Sequence, residues 1–163
     1  MNKPYVRERL VKAKARIVRK TCDYPVRIID LEKYLERNDI PFQFEVHREL
    51  IRATVSKKEN IYLMSLPAIN EMLWYYALCL GHILLGHLDF TEYPAVSSNL
   101  YNKLKRTFEA EAELFAKELI VPLVYVKHEA VPPITEEKIN SLQKFFQVPK
   151  TIIVERLKEI GLL

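Results

Sequence analysis

Apolar residues recur every three or four positions over much of the chain, a spacing that indicates helices. Near the N-terminus Val6, Leu10, Ala13 and Ile17 follow this spacing with basic residues between them, which predicts an amphipathic helix over residues 4–21. Five further helices are predicted: a short one ending near Arg37, a central one from Pro67 or Ala68 to Leu88, and others over 101–120, 135–146 and 148–163.

Three short stretches before the central helix have the composition of strands. They are Ile40–Val46, Ile51–Val55 and Ile61–Met64, with a polar turn predicted at residues 56–60. Three short strands followed by a long helix favour an α+β fold, mostly helical, with a small antiparallel sheet packed on that helix. Residues 89–100 are predicted to form a loop.

Charge is distributed unevenly along the chain. The net charge is +4, and residues 1–20 hold eight Lys or Arg against Glu8, which is +7 and leaves −3 for the remainder. We therefore predict two parts: a basic amphipathic helix over residues 1–22 and a globular domain over 23–163. The basic helix is interpreted first as a solvated surface, with weak nucleic-acid contact or binding to an acidic partner as alternatives.

The central helix is apolar enough to require a membrane check. From Met72 to Gly86 no residue is formally charged, but these 15 residues fall short of the roughly 20 that span a bilayer, so a buried core helix is predicted. Cys22 and Cys79 are interpreted as reduced thiols, and a cytoplasmic protein without membrane contact is expected.

The segment ALCLGHILLGH, residues 77–87, lies within this helix. Zinc peptidases carry His-Glu-x-x-His on a helix, where two imidazoles share one face and the Glu serves as general base. From about residue 24 onward the order of elements resembles the ImmA/IrrE family of zinc metallopeptidases, which implies a zincin-like fold. The segments that carry the resemblance are IPFQFEV, RATVS, IYLM, WYYALCLGHILLGH, FEAEAELFAKELIVP and FFQVPKTIIVERLKEIGLL.

The resemblance also shows where this chain departs from the family. His82 matches the second metal-binding His and Glu111 the third ligand, but Leu78 stands at the first His and Cys79 at the general base. Because a catalytic zinc normally has three protein ligands, Leu78, His82 and Glu111 are interpreted as a vestigial metal site with no catalytic residue and no cofactor. His82 and Glu111 are then expected to hydrogen-bond directly or through a water.

Alternatives for metal binding remain. Cys79 as a thiolate could join His82 and Glu111 around zinc, which would give a divergent endopeptidase. His87 lies five residues after His82, about 140° further around a helix, so it is predicted to face elsewhere and to cap carbonyls near the helix end.

The resemblance implies a regulatory role. Members of this family commonly accompany a repressor of a phage or mobile element and relieve repression, often by cutting it. The chain is therefore predicted to be a catalytically inactive regulator, antirepressor-like, that binds a protein such as a transcriptional repressor. The alternative is a zinc endopeptidase that cleaves the repressor. Trp74, Tyr75 and Tyr76 are candidate partner contacts.

Overall fold

The computed structural model describes residues 4–68, 70–90 and 98–163, with side chains described for all of these except 89–90 and 98–101. Within these residues the chain forms seven α-helices, one 3-10 helix and a three-stranded sheet. The α-helices are α1 (Glu8–Arg19), α2 (Ile28–Arg37), α3 (Met72–Leu84), α4 (Ser98–Ile120), α5 (Leu123–Glu129), α6 (Glu136–Phe146) and α7 (Lys150–Glu159); the 3-10 helix is His87–Phe90.

The sheet is mixed, which corrects the prediction of an antiparallel one. Its strands are β1 (Phe42–His47), β2 (Thr54–Lys58) and β3 (Ile61–Pro67), in the order β1-β3-β2. β2 runs antiparallel to β3, but β1 runs parallel to it. The direction follows from the connection: between β1 and β2 the chain crosses to the far edge of the sheet, so β3 returns between them.

A two-residue turn joins β2 to β3. Lys58 pairs with Ile61, and the residues between them, Glu59 and Asn60, have φ angles of 52° and 65°. Consecutive positive φ angles fit the tight hairpin turn whose twist matches that of the flanking strands. The polar turn predicted at residues 56–60 is therefore shorter, and residues 56–58 extend β2.

The central helix is shorter than predicted at both ends. Pro67 belongs to β3, where it pairs with His47, and α3 begins only at Met72. The helix ends at Leu84, and Gly86 has a φ of 71°, a left-handed conformation that glycine adopts readily. The chain therefore turns before the 3-10 helix.

The C-terminal part agrees with the predictions in outline. Thr135 caps α6, since the Lys138 N–H donates to its Oγ1 at 3.2 Å. α5, which follows Pro122, was not predicted. The predicted loop over 89–100 overlaps the 3-10 helix and the start of α4, and its residues 91–97 lie outside the described part of the chain.

α3 and α4 pack very closely. A Cβ added at Gly81 would lie 3.1 Å from Phe115 Cδ1 and 3.2 Å from the Cα of Ala112. A side chain at position 81 would therefore require these neighbours on α4 to shift by a few tenths of an ångström. This approach brings the His82 turn of α3 beside the Glu111 turn of α4.

α1 packs along α4 through a stripe that differs from the predicted one. Val11, Ala15 and Val18 are fully buried, whereas Leu10 and Ile17 are exposed. Both sets are apolar at helical spacing, so periodicity alone could not distinguish them.

In the described residues no helix is long and apolar enough to cross a bilayer.

Candidate functional site

A cleft of about 840 Å³ opens beside the central helix. Its walls come from the start of β2, from α3, from α4 and from the beginning of α7. The residues that line the cleft include Arg52, Thr54, Val55, Trp74, Tyr75, Leu78, Cys79, His82, His87 and Phe108.

Glu111 lies on α4 behind the two histidines and is completely buried. Arg7, at the N-cap of α1, holds it with both main chain and side chain. The Arg7 backbone N–H donates to Glu111 Oε1 at 2.9 Å, Nε donates to Oε1 at 2.9 Å, and Nη2 donates to Oε2 at 2.6 Å. Two parallel N–H donors on one carboxylate form the strongest type of protein ion pair, and the carboxylate also faces the positive end of α1.

His87 links Glu111 to His82. Its Nε2 lies 3.0 Å from Glu111 Oε2, and its Nδ1 lies 2.9 Å from His82 Nδ1. The His87 ring, which is buried, is stacked on Phe108 with ring centroids 4.4 Å apart. The result is a continuous polar chain from Arg7 through Glu111 and His87 to His82.

The directions of these hydrogen bonds follow from the charges. Glu111 as a carboxylate only accepts, so the His87 Nε2–H must donate to it. In a neutral His87 the other nitrogen, Nδ1, is then an acceptor, and His82 Nδ1–H donates to it. This assignment leaves His82 Nε2 as the one ring nitrogen of the pair with a free lone pair.

The pKa directions agree with this assignment. Burial opposes ionisation of Glu111, but the hydrogen bonds from Arg7 and His87 outweigh it and lower its pKa to about 2. Burial, with a smaller effect of His87, lowers the pKa of His82 to about 4. Burial also lowers the pKa of His87, although Glu111 opposes that change. At neutral pH both imidazoles are thus uncharged and Glu111 is ionised.

Leu78 and Cys79 are the positions that the sequence resemblance aligns with a metal-binding His and the general base. Leu78 lines the cleft and offers only hydrocarbon. Cys79 is 2% exposed, and burial raises the pKa of its thiol to about 12. The Cys79 Sγ lies 3.7 Å from the Thr54 carbonyl oxygen, to which the S–H group donates a weak hydrogen bond. A neutral, buried thiol does not serve as a general base at neutral pH.

These residues do not fit a zinc ion in this arrangement. Both oxygens of Glu111 accept hydrogen bonds from Arg7 and His87, and His87 uses both ring nitrogens. Among the ring nitrogens and carboxylate oxygens of these three described residues, only His82 Nε2 keeps a lone pair free, whereas a zinc site needs three or four donors. Within the described residues no group of three His, Cys, Asp or Glu side chains is arranged to hold a metal.

The prediction for His87 was wrong. It does not cap carbonyls at the helix end but is buried between His82 and Glu111. The rotation of 140° assumed that the helix continues, whereas α3 ends at Leu84 and the turn at Gly86 swings His87 back toward α4. The expected link between His82 and Glu111 therefore runs through a third side chain rather than directly or through a water.

The three aromatic candidates for partner contact are separated by the helix. Trp74 and Tyr75 line the cleft. Tyr76 is fully buried, with its ring centroid 6.0 Å from that of Phe44 on β1, so it is unable to contact a partner in this structure. Three consecutive helical residues point in directions about 100° apart, which is why one of them faces the sheet.

Arg7 is the site residue that the sequence did not reveal. It precedes Glu111 by 104 positions and is one of eight cations in its segment. The only available signal was general: a buried carboxylate needs a partner, and an N-terminal helix rich in Arg offers several. Nothing in the local pattern selects Arg7 among them.

Comparison with known proteins gives one family. The sequence model of a family described as the IrrE N-terminal-like domain, a peptidase family, matches residues 38–158, about three quarters of the chain. The match includes α3, the cleft and Glu111, and it does not include α1 with Arg7. No curated protein matches the chain significantly.

Proposed function

We propose, from the premise that this chain belongs to the family of IrrE N-terminal-like domains, that it is a metallopeptidase-fold protein that does not hydrolyse peptides. It acts instead by binding a protein partner, such as a transcriptional repressor, as an antirepressor-like regulator. The phage or mobile-element setting belongs to the same proposal.

The observation that carries the proposal is the saturation of Glu111. The carboxylate that corresponds to the family's third metal ligand is held by the Arg7 guanidinium, at 2.6 Å, and by His87. Leu78 provides no donor and Cys79 no carboxylate to take a proton from an attacking water. The Arg7 guanidinium supplies the positive charge that a metal ion would otherwise provide beside Glu111.

The remaining cleft supports a binding role. β2 is an edge strand, paired with β3 on one side, and its first residues, Thr54 and Val55, line the cleft. An edge strand has backbone donors and acceptors that an extended peptide can pair with, while the side chains of Trp74 and Tyr75 provide apolar walls. Peptide binding by strand addition requires no metal.

The proposal is tested with purified protein and the repressor-type DNA-binding proteins encoded beside its gene. Binding is measured by calorimetry, and the partner is examined by mass spectrometry after incubation with added zinc. Two cleft variants, Arg52→Glu and Tyr75→Ala, are compared with Arg37→Glu, a matched reversal of an exposed cation on α2.

We expect an intact partner, and an affinity that falls by about tenfold or more in the cleft variants but not in the control. Cleavage of the partner that a chelator abolishes would instead establish the alternative, a zinc endopeptidase using Cys79, His82 and Glu111. Binding unchanged by either cleft variant would contradict the cleft as the binding site.

A further inference from the structure

α1 carries a second apolar stripe that the domain does not cover. Val11, Ala15 and Val18 face α4, but Leu10 and Ile17 are 40% and 59% exposed, with the exposed Ala13 between them. Leu10, Ala13 and Ile17 are spaced three and four residues apart, so they form one line along the helix. We call these three residues the outer stripe.

Unpaired cations flank the outer stripe. At about 100° per residue, Arg9, Arg16 and Lys20 lie along one side of it and Lys14 along the other. Among the described residues none of these four makes an ion pair. The other described cations of this N-terminal segment have partners. Those pairings are Arg7 with Glu111, Lys12 with Glu8, and Arg19 with the Glu118 carbonyl.

The chemistry of this face selects one kind of occupant. Its centre is hydrocarbon and its margins are positive, so the complementary surface has an apolar centre and negative margins. An amphipathic helix with Leu- or Ile-type residues in line and Asp or Glu beside them has that form. A second copy of α1 is excluded as the occupant because the two faces would repel each other.

Two other classes of macromolecule fit less well. Nucleic acid would place phosphates against the margins but would leave Leu10 and Ile17 against a polar backbone. Helices that lie on a bilayer surface commonly carry aromatic residues, and there are none from Glu8 to Arg19. The residues after position 20 also carry a net charge of −3, which does not favour an anionic membrane surface. Neither uses both parts of the surface.

We propose that the outer face of α1, the outer stripe with its flanking Arg9, Lys14, Arg16 and Lys20, docks an acidic amphipathic helix of a partner protein. The surface lies on the far side of α1 from α4 and does not include the cleft. The inference therefore goes beyond the proposed function and does not require that the cleft bind a peptide.

The test uses the full chain and a synthetic helical peptide with a Leu/Ile stripe flanked by Glu. A second peptide of the same composition has its sequence scrambled so that the stripe is lost. Labelled duplex DNA and vesicles containing phosphatidylserine are the other two probes. Binding is followed by fluorescence anisotropy, or by sedimentation for the vesicles.

Two variants address the two parts of the surface. Arg9→Glu/Arg16→Glu/Lys20→Glu reverses the margin, and Leu10→Ser/Ile17→Ser removes the stripe. Three exposed cations elsewhere form the matched control, as Lys58→Glu/Lys127→Glu/Lys144→Glu. Circular dichroism checks that every variant is folded, and the exposure of the altered side chains predicts that folding is retained.

We expect the amphipathic peptide to bind about tenfold or more tightly than the scrambled one, and each α1 variant to lose that preference while the control retains it. Equal binding of the two peptides would show that charge attraction alone accounts for the binding, and it would overturn the proposal. So would tighter binding of DNA or vesicles, or no binding of the amphipathic peptide. Because the cleft variant Arg52→Glu leaves this surface intact, failure here is distinguishable from failure of the proposed function.

Discussion

Replacing Arg7 with Ala removes the side chain that compensates the buried charge of Glu111. The variant keeps the backbone N–H that donates to Oε1 and the bond from His87, but it loses the Nε and Nη2 donors at 2.9 and 2.6 Å. Glu111, which is completely buried, is then left without a cation in contact.

Two quantities set the expected loss of folding stability. Removing one partner of a buried pair typically costs about 3–5 kcal/mol. The decrease in the pKa of Glu111 from 4.5 to about 2 corresponds to about 3 kcal/mol in favour of the carboxylate, shared between Arg7 and His87. Because the Arg7 side chain is 41% exposed, solvent screening reduces the expected loss to the lower limit of that range or just below it, about 2–3 kcal/mol.

Chemical denaturation measures this loss, and thermal unfolding provides a second reading. For a domain of this size each kcal/mol lowers Tm by about 2–4 °C, so a decrease of roughly 5–10 °C is expected. The matched control is Arg9→Ala, an exposed cation of the same helix, which should change stability by no more than about 0.5 kcal/mol.

A double-mutant cycle isolates the pair. If Arg7 stabilises the fold through Glu111, then adding Arg7→Ala to a Glu111→Gln background should cost at least about 1 kcal/mol less than adding it to the natural chain. Equal stability of the Arg7→Ala and Arg9→Ala variants, or additive losses in the cycle, would refute the role assigned to Arg7.

Three further predictions follow from buried groups of the site and its helices. The unfolded state takes up a proton at His82 near pH 6.5, whereas its folded pKa is about 4, so up to about 3 kcal/mol of stability should be lost as pH falls through this range. Urea titrations should show a smaller loss for His82→Gln, and an equal loss would contradict the assignment. Gly81→Ala should destabilise the fold by up to about 2 kcal/mol because its Cβ meets Phe115, a result that denaturation tests and that a stabilised variant would disprove. Cys79 should resist iodoacetamide at pH 8 in the native state and react once the chain is unfolded, whereas labelling faster than that of the half-buried Cys22 would show that the thiol is accessible.

Local patterns predicted most of the helices and the positions of β1 and β3, whereas β2 was predicted at residues 51–55 and lies three residues later, at Thr54–Lys58. Helical periodicity and caps such as Thr135 depend on neighbouring residues, so a short window of sequence contains the necessary information. The direction of β1 relative to β3 does not depend on a short window. It depends on where the chain crosses the sheet between β1 and β2, and the sequence of a six-residue strand contains no information about that crossing.

The site was predicted in part. The resemblance to the family identified Leu78, Cys79, His82 and Glu111 as the positions to examine, and the structure joins His82 to Glu111 through His87, with Arg7 on the other side of Glu111. The places of His87 and Arg7 in this chain were missed for different reasons. His87 was misplaced because a turn at Gly86 replaced the assumed helix.

Arg7 was missed because long-range pairing is set by the packing of α1 on α4, which its periodicity left ambiguous. The outer stripe, Leu10, Ala13 and Ile17, matches a helical repeat as well as the buried stripe does. The packing of α1 on α4 buries one of the two stripes and also brings Arg7 to Glu111, and both results become visible only when the two helices are placed.

The potential metal donors of the site are already occupied within the protein, and the metal content of the purified chain tests this most directly. The chain should be produced in zinc-supplemented medium, purified without chelators, dialysed and examined by elemental analysis. The Leu78→His/Cys79→Glu variant introduces an imidazole and a carboxylate at the positions that the resemblance assigns to a metal ligand and the general base, and it serves as a reference that should hold more zinc. For the natural chain we predict less than about a tenth of a zinc ion per molecule, whereas about one per molecule, lost when His82 or Glu111 is replaced, would contradict the account.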